Sequence, residues 1–369
     1  MAVQLFLAST PLHILNSVAI ASQTPELQSC LWLIDQPNVD KNPYFDLLSD
    51  WQDSPFSDVR ISQGHIKGTK AKLKNRKKVF ADIQSWVEAN RPAQVFTGND
   101  RRIEFQYAMH CTHQLNDEAK GVYMDEGTFT YVGRQASASF SDRVIDNALK
   151  KLTYGFWWKN PPTIGGSDWI TDIYAAFPQL VHPELEKKQL HALQPLYSDN
   201  PVVADFCARL VRHFGAEIES IKEVSVILTL PHESIICRLK GYREAMDDVL
   251  NTLTSKGLNV GIKYHPRNTD PDILEVATQS NATVIPHRIP FEAILPLLPA
   301  NIIIIGDLSS TLINSRWLRP SAQILSIKIP DAPLASEFES LFSRIGVTSI
   351  SADQLPAAMG SALNLSRPT

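Results

Sequence analysis

Val260-Gly261-Ile262-Lys263-Tyr264-His265-Pro266-Arg267 reads as a short strand that runs straight into a polar turn. Val260–Lys263 has the length and apolar character of a strand buried on both faces, and a residue before proline is biased to extended geometry, so His265 stands where the strand ends. Glu292 and then Ser309-Ser310-Thr311 follow at intervals of about one strand plus one helix each. Three successive connections of one parallel sheet are thus expected to converge on one crevice at the carboxyl ends of adjacent strands. A cation, an imidazole, a carboxylate and two hydroxyls gathered there suit a nucleotide, which offers a diol and an anionic phosphate.

The same rhythm extends in both directions. Apolar runs at Val3–Leu7, Leu31–Ile34, Val95–Thr97, Val122–Met124, Val224–Leu230, Thr283–Ile285, Ile302–Ile305 and Ile324–Ile327 suit buried parallel strands. Stretches with helical spacing separate them, among them Pro11–Ser22, Val79–Asn90, Gly241–Ser255 and Pro290–Leu298. Alternation of this kind predicts an α/β fold with mostly parallel sheets. The rhythm breaks between Gly155 and Lys222, where Trp157-Trp158, Pro161-Pro162 and Gly165-Gly166 precede a helical run at Pro201–Phe214. Two domains are expected to join there and face a cleft: residues 1–200 including the linker, then 201–350. A helix within 351–369, read over Ala352–Leu365, is expected to pack back on the first domain.

With 369 residues the chain exceeds the size at which a single core usually stops growing, which agrees with two domains. A net charge of −4 argues against a general nucleic-acid binder. The apolar Val3–Leu7 has no basic residues before it and meets Ser9-Thr10-Pro11 at once, so neither a signal peptide nor a membrane span is expected. Cys30, Cys111, Cys207 and Cys237 are too scattered for a zinc site or a disulfide framework, and reduced cytoplasmic thiols are the expectation.

Each candidate site has an ordinary structural alternative. In Tyr123-Met124-Asp125-Glu126-Gly127 two adjacent acids repel, and burial raises a carboxyl pKa further, so one of them suits a general base. The same residues also suit an acidic turn in which Gly127 takes a positive φ and a carboxylate caps the next element. His265 can donate to a phosphate, or simply sit in a loop. Glu292, two residues after Pro290, can bind two sugar hydroxyls, or complement the dipole of a helix start. Ser309-Ser310-Thr311 opens a helix through Leu318, where hydroxyls and unpaired N–H groups form an anion site and also an N-cap. Seven basic residues from Lys67 to Lys78 suit a solvated loop and helix start, with peripheral contact to anionic headgroups of the inner membrane as the functional alternative.

Asp125-Glu126-Gly127, His265-Pro266 and Ser309-Ser310, in that order, resemble the D/E-D/E-G, His-Pro and Ser-Ser/Thr motifs of bacterial sialyltransferases with a GT-B fold. His265-Pro266-Arg267, Pro290-x-Glu292 and the chain length are most similar to the lipooligosaccharide sialyltransferase and polysialyltransferase families. The resemblance implies two Rossmann-like domains facing a central cleft, a cytoplasmic enzyme, and a CMP-activated sugar as donor substrate with no cofactor and no metal. It implies that Asp125, or else Glu126, deprotonates the acceptor hydroxyl, with His265 as the third catalytic residue. Lys263, His265, Pro266, Glu292, Ser309, Ser310 and Thr311 would bind CMP: His265 and the serines its phosphate, Glu292 the ribose, Lys263 the base. Ser9, Thr10 and Gly127 would lie on the acceptor side. In some lipooligosaccharide enzymes an aspartate after the first strand of the second domain is the proposed base; this sequence has Pro231-His232-Glu233 there, so a base from the second domain, His232 or Glu233, is the alternative to Asp125 and Glu126.

The expected activity is inverting transfer of sialic acid, or a related nonulosonic acid, to a hydroxyl of a bacterial surface glycan such as lipopolysaccharide or capsule. Two alternatives share the architecture: a CDP-glycerol or CDP-ribitol polymer transferase, and a catalytically inactive protein that binds nucleotide or glycan.

Overall fold

Every residue of Val3–Ala8 (β1) is buried, and this strand lies inside the first of two parallel sheets. Its one polar side chain, Gln4, is satisfied within the sheet: the amide donates to Gln94 at 2.8 Å and accepts from Ser29 at 3.0 Å. The computed structural model describes residues 2–64, 66–133, 151, 155–278, 281–329 and 336–359. They divide into two units, Met1–Val203 and Ala204–Thr369.

In the first unit β1 is joined by Gln28–Gln36 (β2), Asp58–Gln63 (β3), Gln94–Thr97 (β4), Lys120–Met124 (β5), Ile170–Ala175 (β6) and Gln189–Ala192 (β7). The spatial order is β3-β2-β1-β4-β5-β6-β7, with every neighbouring pair parallel. Chain progression reverses between β1 and β4, and in open parallel sheets such a switch point opens a crevice at the carboxyl ends of the strands. Ser9 and Thr10 leave β1 there, Gly98 to Asp100 leave β4, and Asp125-Glu126-Gly127 leaves β5. Thr10 caps the helix Pro11–Ala21 by accepting from His13 N, and Pro11 occupies the helix start, where its missing N–H costs nothing. All positions of that helix after Pro11 are buried, as suits a helix that is apolar on most of its circumference.

The second sheet consists of Val226–Thr229 (β8), Val260–Lys263 (β9), Ala282–Ile285 (β10), Ile303–Gly306 (β11), Gln323–Ile327 (β12) and Thr348–Ile350 (β13), in the order β10-β9-β8-β11-β12-β13. All its pairs are parallel, and the switch point falls between β8 and β11. Leu228, Tyr242, Met246, Leu253, Ile262 and Leu325 belong to its core.

The region from Gly155 to Lys222 is not a break in the strand rhythm, because β6 and β7 both lie within it. The unrecognised β3, β7 and β13 are sheet edges, where short and partly polar strands are stable without an apolar run. In β6 the polar Thr171 and Asp172 dilute the signal. The basic run lies mostly on a helix, Thr69–Asn90, whose buried residues Val79, Ile83, Trp86 and Val87 all follow it, so Lys70 to Lys78 cover solvated turns. The helix expected over Pro290–Leu298 is shorter, Phe291–Ile294 followed by a 3-10 turn around Pro296, since proline cannot donate to a continuing helix. Leu355 and Met359 join the core of the second unit, while the rest of the expected terminal helix, and the loop Arg134–Ser141, lie outside the described residues. All four cysteines are free thiols. Among the described residues no helix is long and apolar enough to cross a membrane.

Candidate active site

The two adjacent acids after β5 have different surroundings. Asp125 is 3% exposed, and its Oδ1 accepts from Gly127 N at 2.8 Å and from the Thr130 hydroxyl at 2.7 Å. Its Oδ2 accepts from Ala176 N at 2.9 Å and from the Tyr131 hydroxyl. A carboxylate offers about four lone-pair sites, and four donors occupy them. Burial pushes the Asp125 carboxyl up, while these hydrogen bonds pull the other way. The Asp125 side chain therefore ties the turn at Gly127, which has a φ of 105°, to the helix Thr128–Val132 and to the end of β6.

Glu126 has no such shell. Its side chain keeps 16% of its exposure, with Oε2 3.8 Å from Nε2 of the buried His13. Burial, then the neighbouring charges of Asp125 and Asp100, raise its pKa to about 7, while Arg102 and a hydrogen bond with Asn99 oppose the shift. His13 is held neutral, its pKa lowered to about 3 by burial and then by Arg102. Ser9 N donates to His13 Nδ1 at 3.3 Å, which leaves the ring proton on Nε2, facing Glu126. Gly98 makes room for this ring, since a Cβ there would meet His13 Nε2 at 2.0 Å. Asp100 is structural: its oxygens accept from Gly165 N at 2.9 Å and Ser167 N at 2.8 Å. Thr10 is used as a helix cap, and Ser9 as the donor that fixes His13.

In the second unit Lys263 is 4% exposed, donating to Tyr264 O at 2.9 Å and His287 O at 3.0 Å, and burial lowers its pKa to about 8 against the favourable charge of Glu292. One of its three N–H bonds remains for a ligand. Glu292 lies in the first turn of Phe291–Ile294, and its Oε1 accepts from Asn314 at 2.9 Å. Asn314 in turn accepts from the Trp317 indole at 3.3 Å, so the carboxylate is anchored to the helix Ser310–Leu318. Ser309 precedes that helix in extended geometry, and its hydroxyl makes no capping hydrogen bond. The helix start is thereby left with hydroxyls and N–H groups suited to an anion. Behind it Asp307 is pushed up to about 6 by burial and lies beside the Tyr242 hydroxyl. Pro266 is exposed, and Thr311 is partly exposed in the first turn of the helix.

The His-Pro and Ser-Ser motifs leave strands separated by one other. Between β9 and β11 runs β8, so the strands carrying the His-Pro and Ser-Ser motifs are not adjacent, and Pro231-His232-Glu233 emerges between them. What motif reading missed is that His232 lies beside His265. Only the order of strands in the sheet could have shown it, because the chain places His232 more than one βα unit before His265. Burial, then Arg267 and His232, lower the His265 pKa to about 4. Glu233 accepts from Thr269 N at 3.0 Å, the Thr269 hydroxyl at 2.7 Å and Asp270 N at 3.2 Å, so its carboxylate holds the loop after Pro266. Asp270-Pro271-Asp272 is an Asp-x-Asp pair that the sequence reading overlooked, and it is used internally: Asp272 accepts from the Tyr264 hydroxyl at 2.8 Å and from Val276 N and Ala277 N, and Asp270 caps Asp272 N.

Solved structures share this fold. A sialyltransferase from Photobacterium phosphoreum, described as an alpha/beta-galactoside alpha-2,3-sialyltransferase, superposes with a TM-score of 0.58 at 14% identity, covering 94% of this chain and 98% of that one. A 2,6-sialyltransferase from Photobacterium sp. JT-ISH-224, solved with CMP and lactose, gives 0.56 at 11% identity over 94% of this chain and 78% of its own. UDP-GlcNAc 2-epimerase from Methanocaldococcus jannaschii gives 0.54 at 11% identity over 99% and 92%. At such identities the likeness shows the fold, which is of the GT-B type. No curated protein matches the chain. The model of one family does match, from residue 4 to residue 328. On that match, which spans nearly both units, the chain belongs to the alpha-2,8-polysialyltransferase family.

Proposed function

We propose that this sialyltransferase-family protein moves sialic acid, or a related nonulosonic acid, from its CMP ester to a hydroxyl of a bacterial surface glycan, with inversion and with no metal or other cofactor. The observation that carries the reading is Glu126: a partly exposed carboxylate with a pKa raised to about 7, beside a neutral imidazole, in a chain of this family. A proton acceptor works best when its pKa lies near the working pH. Asp125, whose lone pairs are all engaged, serves as the support that holds the turn carrying Glu126.

In this reaction the acceptor hydroxyl gives its proton to Glu126 as its oxygen bonds to the anomeric carbon of the donor. The bond from that carbon to the phosphate oxygen breaks, and CMP leaves with the electron pair. One direct displacement inverts the centre. The leaving phosphate gathers charge, and His265, Ser309 and Ser310 supply hydrogen bonds to it, which fits a leaving group that needs stabilisation more than protonation. Lys263 meets the cytosine and Glu292 the ribose diol. The family description makes a sialylated glycan the first acceptor to try, and the helix face from Lys70 to Lys78 suits contact with anionic headgroups at the inner membrane.

The test is Glu126→Gln, which keeps size and removes the proton acceptor. Turnover of CMP-sialic acid should fall by about two to four orders of magnitude with CMP affinity nearly unchanged. An active Glu126→Gln protein would remove Glu126 from this role.

A further inference from the structure

The imidazoles of His232 and His265 meet edge to face, with ring centroids 5.4 Å apart. They follow neighbouring strands: the β8–β9 pairing ends with Thr229 opposite Lys263, and Leu230 N then donates to Lys263 O at 3.0 Å. Each ring is oriented by the backbone two residues further on. Ser234 N donates to His232 Nδ1, and Arg267 N donates to His265 Nδ1, both at 3.2 Å. A backbone N–H can only donate, so each Nδ1 carries the lone pair and each neutral ring bears its proton on Nε2. Neither Nε2 has a hydrogen-bond partner among the described residues.

The two loops are also locked to one another. Asn268 accepts from Glu233 N at 3.1 Å, while the Glu233 carboxylate holds Thr269 and Asp270. Pre-organised donors of this kind lose little freedom when a ligand binds, which is how a small number of hydrogen bonds becomes worth having.

We propose that His232 is a second donor to the phosphate of the CMP-activated substrate, acting with His265 so that their two Nε2–H groups hold one phosphate group between neighbouring strand ends. This rests on the CMP-dependent reading above. Two neutral donors stabilise the leaving phosphate without giving it a proton, and His232 thereby takes a different role from the aspartate that some lipooligosaccharide enzymes carry after the equivalent strand.

The full chain should be titrated calorimetrically with CMP and with cytidine, comparing wild type with His232→Ala, His265→Ala, the double variant and His232→Gln. CMP affinity should fall roughly tenfold to a hundredfold in each alanine variant, the range for hydrogen bonds to charged acceptors, with the double variant losing less than the product of the two. Cytidine binding should not change, and His232→Gln, which keeps an N–H near Nε2, should recover part of the loss. A His232→Ala protein that binds CMP like the wild type, beside a weakened His265→Ala protein, overturns the proposal and leaves the CMP reading intact. A wild-type protein that binds no CMP overturns the reading itself. The imidazole pair is then judged on wild-type protein with inorganic phosphate, by 15N NMR of the rings: movement of both Nε2–H signals supports it, and movement of the His265 signal alone overturns it.

Discussion

Glu126 Oε2 faces His13 Nε2 across 3.8 Å, and this neutral neighbour leaves the strength of the proposed base to burial and the nearby carboxylates. His13 stays neutral because it is buried and lies near Arg102, so it offers Glu126 a dipole rather than a full charge. A full charge would pull the carboxyl pKa down, whereas a dipole leaves burial and the Asp125 and Asp100 carboxylates to raise it. The carboxylate is thus neither fully solvated nor neutralised.

A base of this kind gives a definite pH profile. Glu126 must be ionised to accept a proton, so kcat/KM should rise with pH and level off above about 7. Stability should run the opposite way. The folded carboxyl holds a proton that the unfolded chain releases above its ordinary pKa of 4.5, so this contribution is complete below pH 4.5 and disappears as pH rises through about 7. Melting temperatures of wild type and Glu126→Gln should therefore diverge in favour of the variant between pH 5 and pH 8. Parallel curves would mean that Glu126 titrates like a solvated glutamate.

Asp125→Asn should behave differently from Glu126→Gln. An amide turns an N–H towards donors that need an acceptor, so the variant should lose stability by about 2 kcal/mol or more, measured by urea unfolding. A variant of full stability with its activity abolished would return the role of base to Asp125.

Gly98→Ala tests the seat of His13. The added Cβ meets the ring at 2.0 Å, so the imidazole must move, at a cost of about 1–3 kcal/mol. The ascending limb of the pH profile should shift with it. Unchanged stability and an unchanged profile would mean that the His13 position has no bearing on Glu126.

Glu292→Gln addresses the ribose. The anchored carboxylate should prefer two hydroxyls, so wild-type protein should bind CMP better than 2′-deoxy-CMP, and the variant should narrow that difference. Equal discrimination in the two proteins would place the ribose elsewhere.

The strand ends were legible in the sequence wherever strands are buried on both faces: Val260–Lys263 reads as the structure has it. The polar edge β7 and the polar-diluted β6 gave no comparable signal, and so the stretch that holds both read as a linker. Gly127 read correctly as a positive-φ turn. The difference between Asp125 and Glu126 was not legible, because it depends on Ala176 and Tyr131, partners supplied by a strand and a helix that local pattern does not connect to them. The pairing of His232 with His265 was hidden for the same reason, since only strand order places the two side by side.

The most direct test of the account is incubation of the protein with CMP-sialic acid, with and without glycan acceptors ending in sialic acid or galactose, following CMP release together with the mass and anomeric NMR signals of the product. Release of one CMP for each sialyl residue gained by the acceptor, with inverted configuration, is the predicted result. Consumption of CDP-glycerol in place of CMP-sialic acid, or a product of retained configuration, would contradict it.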